Sequence, residues 1–223
     1  MTPDLNLRIS PRTVRQETVE KLRLAIFSGV FQPGSRLVES QLCEQLGVSR
    51  PSLREALRSL EAERLIEIIP NRGPSVPSLS WEEATAIYDV RELLEVEAAG
   101  RCATLIPPEE LKRLEKSLHA FEQAADSEDS LARVMTAAEF YSIILGNCGN
   151  PILEEVHRGL VARISFFRGR SMSQGGRAQS SLQEMRDIYD AIAAGDEKAA
   201  RKAAKKHLHK AKTAAKQSME TAD

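Results

Sequence analysis

Residues 37 to 60 read Leu37-Val38-Glu39-Ser40-Gln41-Leu42-Cys43-Glu44-Gln45-Leu46-Gly47-Val48-Ser49-Arg50-Pro51-Ser52-Leu53-Arg54-Glu55-Ala56-Leu57-Arg58-Ser59-Leu60. Leu42 and Leu46 stand four apart before Gly47, and Leu53, Leu57 and Leu60 keep the i, i+4, i+7 spacing after it, so two short helices can share one small core across a tight turn. Ser49 is the expected N-cap of the second helix. Pro51 sits where a backbone N–H has no helical partner, and Ser52 and Glu55 can add reciprocal bonds in the first turn. Arg50 and Arg54 fall beside the leucine stripe at the N-terminal end of that helix, the end a recognition helix inserts into the major groove. The stretch is therefore read as a helix-turn-helix, with Ser49, Arg50, Ser52 and Arg54 as candidate DNA contacts.

The flanks complete a winged head. Upstream, Thr13 and Gln16 form a possible capping box for a helix in which Val19, Leu22, Ile26 and Val30 repeat at helical spacing before Pro33-Gly34. Downstream, Leu65 to Ile69 predicts a strand, Pro70-Asn71-Arg72-Gly73-Pro74 a turn, and Ser75-Val76-Pro77 a return strand. Arg72 and Gly73 at the wing tip are candidate phosphate or minor-groove contacts; for Arg72 the plain alternative is a solvated turn residue.

These residues resemble the winged-helix domain of the GntR family of bacterial transcription regulators. The matching positions are Pro33-Gly34, Leu37, Glu39, Leu42, Leu46 to Arg50, Leu53 to Leu57, Leu60, Leu65-Ile66 and Gly73. The resemblance implies a double-stranded DNA operator as partner.

A chain of 223 residues is long for one such head and predicts a second domain, giving 1–78 for DNA binding and 79–223 for the remainder. The first part carries 11 Lys/Arg against 9 Asp/Glu and the second 20 against 23. That balance speaks against polybasic coating of nucleic acid and for a few directed contacts. Cys43, Cys102 and Cys148 show no paired spacing, and Met1 to Asp4 no signal pattern, so a reduced, cytoplasmic setting without a membrane span is expected. Cys43 and Cys102 read as small buried hydrophobes, whereas Cys148, in the loop at Gly146 to Gly149, is open to a second reading as a redox sensor. The eight basic residues from Lys198 to Lys216 read as a solvated helix face, with a second DNA contact as the alternative.

From Ser80, whose spacing to Glu83 is that of a capping box, the pattern is helical to the end. Helices are expected at about 81–104, 108–126, 130–146, 151–171, 180–194 and 197–218, and their short connections predict an antiparallel all-helical bundle. Leu153, Val156, Leu160, Ile164 and Phe167 form one inward stripe that leaves room for a cavity. The fold class is thus mainly α, a winged helix-turn-helix followed by a helical bundle.

Val90-Arg91, Glu95, Phe140, Gly149-Asn150-Pro151, Glu184, Ile188, Ala191-Ile192 and Gly195-Asp196 resemble the FCD domain, the ligand-sensing bundle of the FadR-like branch of the GntR family. The resemblance implies a dimer, more often a repressor, that responds to a small organic acid. It also implies a metal site of one Asp and three His, and the chain departs from it: the four positions read Ala137, Tyr141, Met185 and His207. Such an ion needs several converging donors, so no metal cofactor is expected, and His119, His157 and His209 match none of the ligand positions. Arg91 lies in an apolar stripe with Ile87, Leu94 and Ala98, and an inward arginine wants an anion. That anion is either an internal carboxylate such as Glu95 or the carboxylate of an anionic metabolite. Tyr141, Arg163, Arg170, Met185 and His207 are the further candidates for the effector pocket, with a satisfied interior histidine as the plain reading of His207. Two other functions compete with an effector-responsive regulator: a constitutive DNA-binding protein with a degenerate sensor, and an enzyme, for which the scattered His and Cys residues offer no nucleophile-base set.

Overall fold

A computed structural model describes residues 14–172 and 174–220. In the head, α1 spans Val14–Phe27, α2 Glu39–Leu46 and α3 Arg50–Ala62, followed by β1 (Glu67–Ile69) and β2 (Gly73–Ser75). Gly47 ends α2 in the left-handed region at φ 64°, where a side chain would be strained, and its N–H donates to the Cys43 carbonyl. Ser49 caps α3 by accepting from the Ser52 N–H at 3.4 Å. The expected Ser52–Glu55 exchange is not formed, because the Ser52 hydroxyl pairs with that of Ser49 at 3.0 Å. Leu22 and Ile26 of α1 close a core with Leu42, Leu53, Leu57, Leu60, Leu65, Ile66 and Val76. Val30 does not join it. The helix stops at Phe27, the chain turns at Gly29, and Val30 is left 71% exposed. Thr13, half of the expected capping box, lies outside the described residues.

The wing is real but shifted. Leu65 and Ile66 turn into the core and leave only Glu67–Ile69 to pair, antiparallel, with Gly73–Ser75. The return strand starts two residues earlier than expected because segment 34–37 claims the chain on its other side. Leu37 donates to the Pro74 carbonyl at 2.8 Å, Gly34 to that of Val76 at 2.8 Å, and the Val76 N–H to Ser35 at 3.0 Å.

The bundle comprises α4 (Trp81–Leu105), α5 (Pro108–Asp126), α6 (Ser130–Gly146), α7 (Pro151–Arg163), α8 (Ser165–Met172), α9 (Arg177–Ala193) and α10 (Glu197–Glu220). The Ser80–Glu83 capping box opens α4 with both bonds at 3.1 Å. The long α4 packs against α9 and α10, and α5 pairs with α6 and α9 around Leu114, Phe121, Phe140, Ile144, Met185, Ile188 and Ile192. Gly100 admits the α10 side chain Arg201, whose Nε lies 2.5 Å from where a Cβ would stand.

Two helix expectations need correction. The single helix over 151–171 is broken at Ile164, which is fully buried with Phe167 against Ile87, Tyr88 and Ala215. Its predicted stripe does not run through: Val156 is 48% exposed, and the inward place is taken by His157, whose ring is held by a buried carboxylate. The helix expected from 180 begins at Arg177, after Gly176 turns in the left-handed region at φ 75°. Cys102 and Cys148 are both buried. Burial first, then the neighbouring Cys148, pushes the Cys102 thiol up to about 12, which suits an inert packing role for Cys102. Of the Lys-rich face of α10, Lys205 pairs with Glu92, Lys206 with Asp187 and Lys212 with Asp89, as befits a solvated face stitched to its own bundle. No described helix is long and apolar enough to cross a membrane.

Candidate functional site

Two sites face opposite ends of the chemistry. On the head, α3 presents Ser49 and Arg50 exposed and Ser52 half-buried, with Leu53, Leu57 and Leu60 turned inward, so the polar start of the helix is free to approach a surface. Arg54 is 64% exposed but not idle: its Nε donates to Glu39 Oε2 of α2 at 3.0 Å. Reading a base with Arg54 therefore means exchanging that exposed pair, a small cost of roughly 0 to 1 kcal/mol. Arg72 is exposed at the tip of the wing, and Gly73 opens β2 at φ 87°.

In the bundle, α4, α6, α8, α9 and α10 close on a buried cavity of about 20 Å³, on the scale of one water molecule. Arg91, Tyr141, Arg168, Arg177, Ser181 and His207 supply its polar wall, and Tyr88, Ala137 and Met172 are among the rest. The Arg91 Nε donates to Glu95 Oε1 at 2.6 Å, with both side chains almost fully buried, and the guanidinium lies over the Tyr88 ring at 5.0 Å. Of the two anions weighed for Arg91, the internal carboxylate is thus present. The same Glu95 oxygen meets His157 Nε2 at 2.7 Å. Burial raises the Glu95 carboxyl, but the Arg91 charge and His157 outweigh it and hold it far below the usual carboxylate range.

A second buried pair lies across the cavity. Arg177 grips Glu184 with two parallel bonds, 2.9 and 3.0 Å, and His207 Nδ1 lies 2.8 Å from Glu184 Oε2. Burial pushes the Glu184 carboxyl up, yet the bonds from His207 and Arg177 bring it down to about 2. Burial lowers His207, more than Glu184 raises it, so the ring is neutral with Nδ1–H as the donor. Arg168 is different. It is buried, no carboxylate lies within ion-pair distance of it among the described residues, and burial followed by the Arg91 charge pushes it down from the usual arginine range.

The sequence-expected positions divide accordingly. Arg91, Tyr141 and His207 share the cavity wall, with the Tyr141 and His207 rings 5.5 Å apart. Met185 is fully buried in the apolar core of α9 rather than on that wall. Arg163 is also displaced: the break at Ile164 aims it into a separate cleft of about 340 Å³ between head and bundle, beside Ile26, Leu65, Glu83 and Phe167. The Arg170 side chain lies outside the described residues. Arg168, Arg177 and His157 were missed. Arg177 stood in what reads as a Gly175-Gly176 loop. Arg168, four residues after Ile164, carried the same signal as Arg91, a cation inside an apolar stripe.

The residues at the family's metal positions do not fit a metal. Ala137 has no donor, Tyr141 is a phenol that burial pushes up and keeps neutral, Met185 faces the core, and His207, with Nδ1 on Glu184, brings a single nitrogen where such an ion needs several converging donors. No group of three or more His, Cys, Asp and Glu converges as a metal site among the described residues.

The chain matches two family patterns: bacterial regulatory proteins of the gntR family over residues 14–76, and the FCD domain over residues 86–210. It is 31% identical over 189 residues to the HTH-type transcriptional regulator YdhC of Bacillus subtilis, covering 84% of this chain and 83% of that protein. It is 29% identical over 200 residues to the galactonate operon transcriptional repressor of Escherichia coli, covering 80% and 86%. Among solved structures, E. coli McbR/YncC shares the fold with a TM-score of 0.83 at 22% identity over 93% of this chain and 99% of that one. A GntR regulator from Rhodococcus sp. RHA1 gives 0.76 at 27% identity over 94% and 99%. These relatives are named as regulators, not enzymes, and the two patterns fall on the two cores described above. The protein therefore belongs to the GntR family of bacterial transcription regulators, in the branch that joins a DNA-binding winged helix to an FCD domain.

Proposed function

We propose that this regulator works as a homodimeric repressor that binds a short pseudo-palindromic operator through paired α3 helices and changes its grip when a small anionic metabolite enters the bundle. The observation that carries this reading is the position of α8. One side of that helix gives Arg168, Ser171 and Met172 to the buried cavity, and the other meets the head, where the Cβ position of Gly169 lies 3.4 Å from the Phe27 carbonyl oxygen at the end of α1. A guest larger than one water must displace the wall, and a displaced α8 presses on α1. A ligand that prefers one arrangement of head and bundle then shifts operator affinity by its differential affinity for the two. The dimer has an apolar surface to cover: α4 and α7 touch, and they leave Val90, Leu93, Ile152 and Val156 exposed. The sign of regulation follows the E. coli relative, which is named a repressor. Sensing proceeds without a metal ion, so chelators leave operator binding and effector response unchanged.

Selection of bound duplexes from random DNA, followed by anisotropy titration and sedimentation, tests the reading. The expected product is a two-fold sequence whose half-sites lie about one helical turn apart, bound by a dimer. A monomer on a single half-site, or operator affinity that no organic acid alters, counts against it and favours a constitutive binder.

Base readout is assigned to Arg50. Arg50→Ala should lose about 1–3 kcal/mol of discrimination at one guanine per half-site, while affinity for random duplex changes little. Equal losses on operator and random DNA would show that Arg50 only grips the backbone.

A further inference from the structure

The cleft of about 340 Å³ between head and bundle falls in the roughly 300–1,000 Å³ range of small-molecule pockets, and domain junctions are a preferred place for them. Its floor is apolar: the buried side chains of Ile26, Leu65, Ile66 and Val76 come from the head and that of Phe167 from α8. Pro77, Ser78 and Leu79, the link between the two domains, line it as well. Five charged residues border it, Glu61, Arg64 and Glu67 from the head and Glu83 and Arg163 from the bundle. Glu83 Oε2 already accepts from the Ser80 N–H at 3.1 Å, and Glu67 Oε1 from the Ser75 hydroxyl at 3.4 Å. The Arg64 and Arg163 guanidinium groups and the Glu61 carboxylate pair with no other described residue and are free to meet a guest.

Arg64 is held at this cleft at a cost. It follows the Glu63 cap of α3 with φ 58°, the left-handed region in which a side chain is strained and glycine is favoured. The fold requires that conformation, because Leu65 turns back to donate to the Leu60 carbonyl at 2.9 Å and buries its side chain in the head. A glycine would serve the helix end better, so the arginine answers to something other than the cap.

We infer that the cleft is a second ligand site of this regulator, built for a free amino acid with a large apolar side chain. The ligand carboxylate accepts from Arg64 and Arg163, one guanidinium from each domain, and its ammonium donates to Glu61. Its side chain lies on the apolar floor, where removal from water drives binding. With two arginines against three carboxylates around the cleft, a bare anion meets no net attraction and a bare cation leaves the arginines unanswered, whereas a zwitterion answers both signs. Held by both domains and touching the link between them, the ligand fixes head against bundle and changes operator affinity by its preference for that arrangement. The cleft shares no lining residue with the bundle cavity, so the site stands whether or not that cavity takes an effector.

The full-length protein is titrated calorimetrically with L-phenylalanine, L-leucine, 3-phenylpropionate, phenethylamine and glycine. Phenylalanine or leucine should bind saturably, once per chain. Phenylpropionate, which lacks the ammonium, phenethylamine, which lacks the carboxylate, and glycine, which lacks the side chain, should each bind about tenfold or more weaker than the tighter of the two. Arg64→Gly relieves the left-handed backbone, so this variant should melt at a higher temperature than the parent and still lose amino-acid affinity by about tenfold or more, which separates lost binding from lost fold. Arg163→Gln, on the other domain, should lose affinity to a similar extent, whereas Arg168→Gln in the bundle cavity should leave it unchanged. The site is overturned by undiminished affinity in Arg64→Gly or Arg163→Gln, by phenylpropionate or phenethylamine binding as tightly as the amino acid, or by no saturable binding of either phenylalanine or leucine. Organic acids that release operator DNA from a protein that binds neither amino acid retire this site and keep the effector reading of the bundle. Amino-acid binding that depends on Arg64 and Arg163, with operator affinity insensitive to every organic acid, does the reverse.

Discussion

Glu95→Gln is expected to destabilise the full-length protein by about 3–5 kcal/mol, the loss typical when one partner of a buried ion pair is removed and the other is left uncompensated. The Arg91–Glu95 bond is 2.6 Å long between side chains 2% and 3% exposed, and the same carboxylate holds His157 at 2.7 Å. A neutral amide can keep the shape but not the charge, so Arg91 is stranded in the middle of the bundle beside Arg168. Replacing both partners by apolar residues, as in Arg91→Met with Glu95→Leu, should recover much of the loss, because two desolvated charges disappear together. Urea unfolding of the parent, both single variants and the double variant gives the coupling. If Glu95→Gln costs no more than about 1 kcal/mol, a size expected of exposed pairs, the buried network is not holding the bundle.

Acid should unfold the protein through the second pair. Glu184 is held at about 2 in the folded chain against an ordinary value of 4.5, so the unfolded chain binds the proton first. The corresponding stability, about 3 kcal/mol, is present above pH 4.5 and is lost as pH falls toward 2. His207, which burial keeps neutral below its ordinary 6.5, acts in the same direction, since the unfolded chain takes up a proton there that the folded one resists. Stability should therefore decline from just below pH 6.5 and steeply below 4.5. Glu184→Gln lacks the carboxylate, so it should be less stable than the parent at neutral pH, and the gap between the two should narrow below pH 4.5 and close as the pH approaches 2. Denaturant titrations across that range decide it: a gap that stays constant assigns the acid sensitivity to other groups.

Parts of this site were legible because they are local. Arg91 and Glu95 are one helical turn apart, so their meeting on one face follows from spacing alone, and the Ser80–Glu83 box and the cap at Ser49 follow from the same short reach. Arg177 and Glu184 are seven apart, also one face, but only if the helix already runs at residue 177, which the two glycines before it obscured. The wing slipped because strand pairing depends on which segment competes for the backbone, here residues 34–37, and no local pattern announces that.

Periodicity and turn chemistry by themselves determined the winged head, the helical bundle and the inward arginine, since each rests on contacts within a turn or two of the chain. Which charges meet across elements was decided only in three dimensions. Glu95 and His157 lie 62 positions apart, and the break at Ile164 sends Arg163 to the interdomain cleft and Arg168 to the cavity. A buried charge is tolerated or not according to everything packed around it, from every element at once.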